Sequence, residues 1–331
     1  MTAVYREIIE TPDAWVNAPK DRFLRQLSEA EVDVIAQLVD ASRHLAPLEI
    51  TKADFDHPAV RALAVDVRRK LRSGEGAIVL SQLPQERFSA EDYKRIYWGL
   101  GTHLGTPVIQ NYHRDLLTHV EVDRDGNKPY DTRLKGRGYR TSAQAGYHTD
   151  TNDIVGMRCA ERAERGGESV ISSALAIHND FVRHRPHLLD SLYEGYWQAI
   201  GQDEIMTPEK APVFGYLDGH VCVYVQFRTM RLAAEKRGES LPADLAEAMD
   251  YFMDRAVANE AEFLLEAGEI LFWNNRTILH GRRQFENSPE RHRLLYRLWL
   301  DPEDKLRIPD NFAEHLKQEI RAADAAMQDT H

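Results

Sequence analysis

The segments that follow residue 105 constrain the fold of this chain more than any other feature. Long irregular connections and two predicted helices, near 173–195 and 243–259, separate the strand-like runs found there. Regular strand–helix units are therefore not expected, and the pattern favours an antiparallel sandwich or barrel over a doubly wound parallel sheet. The predicted fold class is mainly β with flanking helices. The four strand-like runs are residues 169–173, 220–227, 262–273 and 291–300.

The first 75 residues carry helical signals. Ser28 and Glu31 have the spacing of a capping box, and apolar residues follow at helical intervals. A second helix is predicted over 58–71, with Gly74 placed to end it. Residues 76–83 then form a predicted buried strand, the first of the β core.

The chain shows no sign of division into several units. Ser89 can cap a helix that reaches Tyr97 or beyond, and a last helix is predicted over about 310–324. No internal repeat and no linker rich in Gly, Ser or Pro interrupts the sequence. We therefore predict one domain over residues 1–331. Its predicted parts are a helical N-terminal part (1–75), a β core with insertions (76–300) and a C-terminal helical part (301–331).

Composition and charge argue against several classes of protein. The 331 residues include 42 Lys and Arg and 53 Asp and Glu, which gives a net charge of −11. This negative charge does not favour nucleic acid as a partner. The sequence has neither a run of about 20 apolar residues nor a basic and then apolar leader, so we expect no membrane span and no signal peptide. Two cysteines, Cys159 and Cys222, are too few for a disulfide framework. We expect a cytoplasmic protein with a small-molecule partner, and a homo-oligomer is left open.

Histidine and aspartate two positions apart are candidate metal ligands. On a strand, residues i and i+2 share a face, so an imidazole and a carboxylate can converge on a cation such as Fe(II). The pair His178/Asp180 lies in a predicted helical segment, where its side chains diverge. The pair His113/Asp115 lies in a plausible loop but has no other metal-binding signal nearby. The pair His148/Asp150 lies among small and polar residues, where a solvated acidic loop is the alternative interpretation.

A third ligand has to come from elsewhere in the chain. His280 follows an apolar strand, a polar turn and a short apolar run. The alternatives His220 and His292 lie inside candidate strands. Local sequence alone leaves these three candidates open.

The run 291–300 carries arginines on alternate positions. Arg291, Arg293 and Arg297 share the odd-numbered face, and the even-numbered face is mostly apolar. If the odd face points inward, its guanidinium groups need a partner, and an arginine can bind a ligand carboxylate with two hydrogen bonds. An amphipathic edge strand with solvated arginines is an equal alternative.

The order of these features is more specific than any one of them. His-x-Asp is followed by a Gly-Gly turn and a strand, then by a distant His, and then by Arg on a following strand. In this order the sequence resembles the taurine dioxygenase (TauD/TfdA) family of Fe(II)- and 2-oxoglutarate-dependent oxygenases, over about residues 75–300. The matching segments are LGTHLGTPV (100–108), GYHTD (146–150), GGESVISS (166–173), GEILFWNNRTILHGR (268–282) and RLLYRLWL (293–300).

The resemblance implies a fold and a metal site. The strands would form a double-stranded β-helix, a jelly-roll or cupin-like core, with helices packed outside it. His148, Asp150 and His280 would form the two-His-one-carboxylate triad that binds Fe(II). Three protein ligands on one face leave positions for 2-oxoglutarate, which chelates the metal, and for O2.

The resemblance also implies a cosubstrate site. Arg293 matches the arginine that binds the distal carboxylate of 2-oxoglutarate, and Ser169 stands where the family often has a threonine that donates to the same carboxylate. Arg297 matches a position that supports the cosubstrate or meets an anionic substrate, and an internal ion pair is the alternative. Residues before the distal histidine would pack or hydrogen-bond behind the ligands: Trp273, Asn275 and Arg276.

The sequence identifies the residues of the substrate pocket less clearly than those of the metal site. For each candidate residue, ordinary packing or surface exposure is the alternative. The implied reaction oxidises, most readily by hydroxylation, a C–H bond of a small, anionic or amino-acid-like molecule and releases succinate and CO2. The alternatives are a jelly-roll metalloenzyme that does not use 2-oxoglutarate and a non-catalytic ligand-binding jelly-roll protein. The pocket candidates are Gln110, Asn111, Tyr139, Arg140, Tyr147, Phe214 and Phe227.

Overall fold

The described helices and strands form four layers, with two sheets face to face and helices outside each of them. The computed structural model describes residues 3–111, 113–122, 140–200, 205–305 and 307–312. The α-helices α1–α7 are Glu29–Ala41, Pro58–Ser73, Ala90–Leu104, Ala174–His184, Leu189–Glu194, Phe227–Lys236 and Ala243–Ala258. The strands β1–β17 are Leu24–Gln26, Ala77–Ser81, Thr106–Pro107, Leu117–Val120, Ala145–His148, Ile154–Glu161, Arg165–Gly166, Ser169–Ser173, Ala199–Ile200, Ile205–Met206, Phe214–Leu217, His220–Val223, Glu260–Phe263, Ile270–Asn274, Ile278–Arg282, Phe285–Glu286 and Leu294–Asp301.

Two sheets form the centre of the molecule. The larger sheet has the order β1-β2-β14-β6-β17-β3, with β4 also paired to β17, and the smaller sheet has the order β13-β8-β15-β5. Neighbouring strands in both sheets are antiparallel, apart from the parallel pair β1 and β2. The predicted mainly-β jelly-roll core with flanking helices is therefore confirmed.

Three hydrophobic clusters separate the four layers. The first joins α1, α2 and α3 to one face of the larger sheet, through residues such as Phe272. The second fills the space between the sheets and includes Trp273, the next residue along β14. The third joins the smaller sheet to α4–α7 and includes Leu279. Since both sheets are covered on both faces, their central strands are apolar on both faces as well.

Strand β17 contributes to two of these clusters. Leu298 packs under the helices, whereas Leu295 faces the space between the sheets. Arg293 and Arg297 are on the same inner face as Leu295 and are 3% and 7% exposed. The inward interpretation of the arginine-bearing strand is therefore confirmed, while Arg291 at its start is exposed.

The helical signals of the first hundred residues are confirmed. Ser28 caps α1, with Glu31 completing the capping box, and Gly74 directly follows α2. Ser89 caps α3, which continues through Tyr97 to Leu104. The N-terminal part also contributes β1, which the sequence patterns did not indicate and which extends the larger sheet at its edge.

The predicted strand over 220–227 is wrong beyond Val223. The backbone N–H of Val225 donates to Oγ1 of Thr149 at 2.9 Å, and the N–H of Thr149 donates to the carbonyl of Val225 at 3.2 Å. These bonds attach residues 224–226 to the loop after β5, so the chain stops pairing with β11 after Val223. Helix α6 then begins at Phe227. Helix α6 was not predicted.

Two other predicted elements are each divided in the structure. The run 262–273 forms β13 and β14, separated by a turn in which Gly268 has φ +93°. The helical segment near 173–195 is interrupted before Pro186, which cannot supply a backbone donor to a continuing helix.

The C-terminal prediction is covered only in part. Residues 310–312 are helical, and the rest of the predicted helix lies outside the described residues, as does Tyr139. None of the described helices has the length and apolar character required to cross a bilayer.

Candidate metal centre

Two histidines and an aspartate meet between the sheets. His148, the last residue of β5, lies directly opposite His280 of β15, and their ring centroids are 4.2 Å apart. Asp150 follows two residues later, and its Oδ2 is 3.6 Å from Nε2 of His280. One potential ligand atom from each residue lies within 4.8 Å of the others, and this is the one such group of three found in the described part of the chain.

The protonation states of this cluster suit a metal. Burial and the neighbouring His148 lower the pKa of His280 to about 3, so its imidazole is neutral and can donate a lone pair. Burial alone raises the pKa of the Asp150 carboxyl, but Arg297, the two imidazoles and Trp299 lower it, and the pKa ends below its ordinary value. Two imidazoles and one carboxylate are the donor set of a divalent iron site with open positions. The residues present therefore fit Fe(II).

Asp150 is held on both its side chain and its backbone. The indole Nε1 of Trp299 donates to its Oδ2 at 2.8 Å. The side chain of Asn275 accepts from the Asp150 backbone N–H at 3.0 Å and donates to the carbonyls of Asp150 and Asn152, both at 2.7 Å. Since Asn275 is fully buried, these bonds fix the turn after β5 and with it the direction of the carboxylate.

Arg297 reaches the same carboxylate from β17. Its Nη1 lies 3.4 Å from Oδ2 of Asp150, so the ion-pair alternative raised for this arginine is realised within the protein. Its Nε donates to Oε1 of Gln110 at 2.8 Å, and Nε2 of Gln110 donates to the carbonyls of Arg297 and Leu116 at 2.9 Å. Gln110 therefore positions Arg297.

Arg293 directly precedes β17 and lies on the same side as the inner face of that strand. Its Nη2 donates to the carbonyl of Gly167 at 3.1 Å, and its buried Nη1 has no hydrogen-bond partner among the described residues. Burial, together with the charge of Arg282, lowers the pKa of Arg293 to about 10, which leaves it protonated. A small cavity opens beside it and is also lined by Ser169.

Other predicted residues lie around the cluster at different distances. The ring of Trp273 packs against that of His280 at an angle of 46°, with ring centroids 4.7 Å apart. Arg276 pairs with Asp153 at 2.7 Å and donates to the carbonyl of Thr151 at 2.9 Å, so it braces the loop that follows the ligand pair.

Two further candidates face away from the cluster or organise their own turn. The hydroxyl of Tyr147, on the other face of β5 from His148, donates to Glu260 at 2.5 Å. The side chain of Asn111 donates to Asp115 at 2.9 Å. Their roles in the site stay predictions.

The remaining sequence candidates are not part of the metal cluster. Phe214 and Phe227 belong to the helical cluster on the far side of the smaller sheet, as does Tyr147. Nε2 of His178 lies 3.1 Å from the hydroxyl of Tyr193 in the same region. His113 precedes β4 and is exposed.

One residue that contacts a metal ligand was missed in the sequence. Trp299 is two residues beyond Arg297 on β17, and its indole donates to Asp150. The i, i+2 rule for a strand face places it beside Arg297 and could have found it. Tryptophan is not a residue type that binds the metal, so the sequence patterns did not single it out.

The chain is similar in sequence to known proteins over most of its length. The profile of the taurine catabolism dioxygenase TauD, TfdA family matches residues 41–299. The FR-33289 synthase of Streptomyces rubellomurinus is 28% identical over 295 residues, which cover 85% of this chain and 86% of that protein. A uridine-5'-phosphate dioxygenase of a Streptomyces species is 28% identical over 217 residues, covering 59% of this chain and 73% of that protein.

Solved structures share the fold. An asparagine oxygenase in complex with Fe(II), 2S,3S-3-hydroxyasparagine and succinate superposes with a TM-score of 0.67 at 16% identity, covering 84% of this chain and 94% of that one. The non-heme iron oxygenase OrfP in complex with Fe and alpha-ketoglutaric acid has a TM-score of 0.63 at 16% identity, with the same coverage. From the family match and the cluster of His148, Asp150 and His280, the chain is an Fe(II)- and 2-oxoglutarate-dependent dioxygenase that belongs to the TauD/TfdA family.

Proposed function

We propose that the protein hydroxylates a C–H bond of a small anionic or amino-acid-like molecule while 2-oxoglutarate is converted to succinate and CO2. The observation that carries this proposal is the position of two different groups in one interior. The cluster of His148, Asp150 and His280 lies between the sheets, and the buried guanidinium of Arg293 lies on the inner face of the same layer. A metal and a dicarboxylate can therefore be bound side by side.

The chain's own residues bind and orient the reactants. His148, Asp150 and His280 would hold Fe(II), which with 2-oxoglutarate and O2 supplies the oxidising power. Arg293 and Ser169 would bind the distal carboxylate, so that the keto acid end of the cosubstrate points to the metal. Trp299 and Arg297 keep Asp150 ionised and fixed in direction. The apolar residues between the sheets exclude water from the reacting groups.

The class of substrate is inferred from relatives and from charge. The asparagine oxygenase and OrfP are described in complexes with hydroxylated asparagine and with hydroxylated arginine, and another similar protein is a uridine-5'-phosphate dioxygenase. These molecules are small and carry anionic groups. Among the described residues, Arg297 is a buried cation that contacts the metal cluster, and we infer that it attracts such a group in addition to pairing with Asp150.

Two measurements test the proposal. Under anaerobic conditions, adding 2-oxoglutarate to the Fe(II) protein should produce a visible metal-to-ligand charge-transfer band, and no band at saturating reagents would contradict chelation. A panel of small organic acids, phosphates and amino acids should then contain a compound that couples O2 consumption to succinate release and gains one oxygen atom by mass spectrometry. Turnover of a panel compound without 2-oxoglutarate would favour a different metalloenzyme, and binding without turnover would favour a non-catalytic protein.

A further inference from the structure

We propose that Arg282 is a second guanidinium of the cosubstrate site and binds the distal carboxylate of 2-oxoglutarate together with Arg293 and Ser169. This inference rests on the use of 2-oxoglutarate by the protein. It adds to the site a residue that neither the spacing of the metal ligands nor the arginines of β17 indicates.

The position of Arg282 on its strand places it beside the cosubstrate. Arg282 and His280 are two residues apart on β15, so both side chains extend from the inner face of the smaller sheet. The residue directly opposite Arg282 on β8 is Ser169, just as Ile171 is opposite His280. Directly opposite residues on neighbouring strands have Cβ atoms about 5 Å apart. The side chain of Arg282 therefore starts next to that of Ser169.

The second observation is an unpaired buried cation. Arg282 is 7% exposed, and its Nε has no hydrogen-bond partner within the described ranges. Its Nη2 donates to the carbonyls of Thr141, at 2.7 Å, and Ala143. These are neutral acceptors, so the positive charge is not compensated by them.

The two arginines also converge on one aromatic ring. The guanidinium carbons of Arg282 and Arg293 lie 4.9 and 5.1 Å from the ring centroid of Phe285. Each has one buried N–H group without an acceptor in the described part of the chain: Nε of Arg282 and Nη1 of Arg293. Two like charges that are buried near one another destabilise the empty protein unless an anion joins them. The distal carboxylate of a bound dicarboxylate is such an anion, and its two oxygen atoms can accept from both guanidinium groups.

The experiment compares two ligands that differ only at the distal end. 2-Oxoglutarate and 2-oxovalerate both chelate Fe(II) through the keto acid group, but 2-oxovalerate carries a methyl group where 2-oxoglutarate carries the distal carboxylate. Dissociation constants for each are measured anaerobically from the charge-transfer band, without turnover. The quantity of interest is the preference, defined as the dissociation constant for 2-oxovalerate divided by that for 2-oxoglutarate.

Arg282→Gln should lower this preference by about tenfold or more, since one charge-assisted contact to the carboxylate is lost. The matched control is Arg283→Gln, because the neighbouring Arg283 points to Glu260 and Glu262 outside the inner layer, and its preference should equal that of the wild type. An unchanged preference in Arg282→Gln, including equal weakening of both ligands, would overturn the proposal and leave Arg282 a purely structural residue.

A second variant decides the case if Arg282→Gln does not fold, as judged by circular dichroism. Arg282→Lys keeps the charge but not the planar fork, so its preference should fall by a smaller factor, about threefold. A wild-type preference in Arg282→Lys would then overturn the proposal. Absence of any band in the wild-type protein would instead contradict the use of 2-oxoglutarate, so the two failures are distinguishable.

Discussion

The indole Nε1 of Trp299 donates a hydrogen bond of 2.8 Å to Oδ2 of Asp150. This bond links the last long strand of the larger sheet to the carboxylate of the metal cluster. Trp299→Phe keeps an aromatic ring but removes the donor, so the carboxylate becomes freer to rotate. We expect the affinity for Fe(II) to fall about tenfold, measured by anaerobic titration against a chelator.

Trp273→Phe is the matched control for this change. Trp273 is also buried and close to the cluster, but its Nε1 has no hydrogen-bond partner among the described residues. Its replacement should leave the iron affinity within about a factor of two of the wild-type value. Equal losses in the two variants would show that packing, and not the bond to Asp150, sets the affinity.

His280→Ala should abolish iron binding and iron-dependent succinate formation. The variant removes one of three ligands, while the residues behind it, Trp273 and Asn275, remain in place. The apo protein should still fold, which circular dichroism can check. His184→Ala, a change at an exposed histidine near the end of α4, should keep full activity. Retained turnover in His280→Ala would exclude this residue as a ligand.

Gly167→Ala should weaken cosubstrate binding. Gly167 has φ +80°, and a Cβ atom there would lie 2.7 Å from Nε of Arg293. We expect the dissociation constant for 2-oxoglutarate to rise about tenfold. The free energy of unfolding should fall by about 1–2 kcal/mol because of the strained backbone.

Gly219→Ala separates these two effects. Gly219 has φ +84°, but nothing lies within 4 Å of the Cβ that would be added. The variant should therefore lose similar stability to denaturant and bind 2-oxoglutarate normally. If both variants weaken binding alike, backbone strain and not displacement of Arg293 is the cause.

The stability of the apo protein should depend on His178 at acidic pH. Burial lowers the pKa of His178 to about 4, whereas an unfolded histidine titrates near 6.5. Between these values the unfolded chain binds a proton that the folded chain does not, so this residue lowers the free energy of unfolding, and hence the stability, as the pH falls from about 6.5 to 4.

Urea denaturation of the apo protein at several pH values tests this dependence. His178→Phe should be less sensitive to acid than the wild type by up to about 3 kcal/mol across this interval. The exposed His184→Phe should keep the wild-type slope. A wild-type slope in His178→Phe would show that other groups dominate the acid sensitivity.

Local spacing supplied candidates for the site, and the resemblance to the family chose among them. His148 and Asp150 were one of three His-x-Asp pairs, and Arg293 and Arg297 were two of three arginines on one face of a predicted strand. The sequence of the run 291–300 does not reveal whether the arginine side chains on its odd-numbered face are buried or solvated. Their burial depends on the second sheet, which covers the inner face of that strand.

Contacts between distant segments were beyond the reach of local patterns. Gln110 and Arg297 are 187 residues apart, and nothing near Gln110 indicates its role in positioning the arginine. The same reason explains the error at 220–227. Val221, Val223 and Val225 have a high strand propensity. The backbone N–H of Val225 nevertheless donates to the side chain of Thr149 and not to a neighbouring strand.

Strand β17 belongs to two hydrophobic clusters and also carries Arg297 and Trp299, the two side chains that contact Oδ2 of Asp150. The pairing of β17 with β6 therefore stabilises the core and fixes the direction of this carboxylate at the same time. A substitution that loosens that pairing, even far from the metal ligands, is expected to lower both the stability of the protein and its affinity for iron.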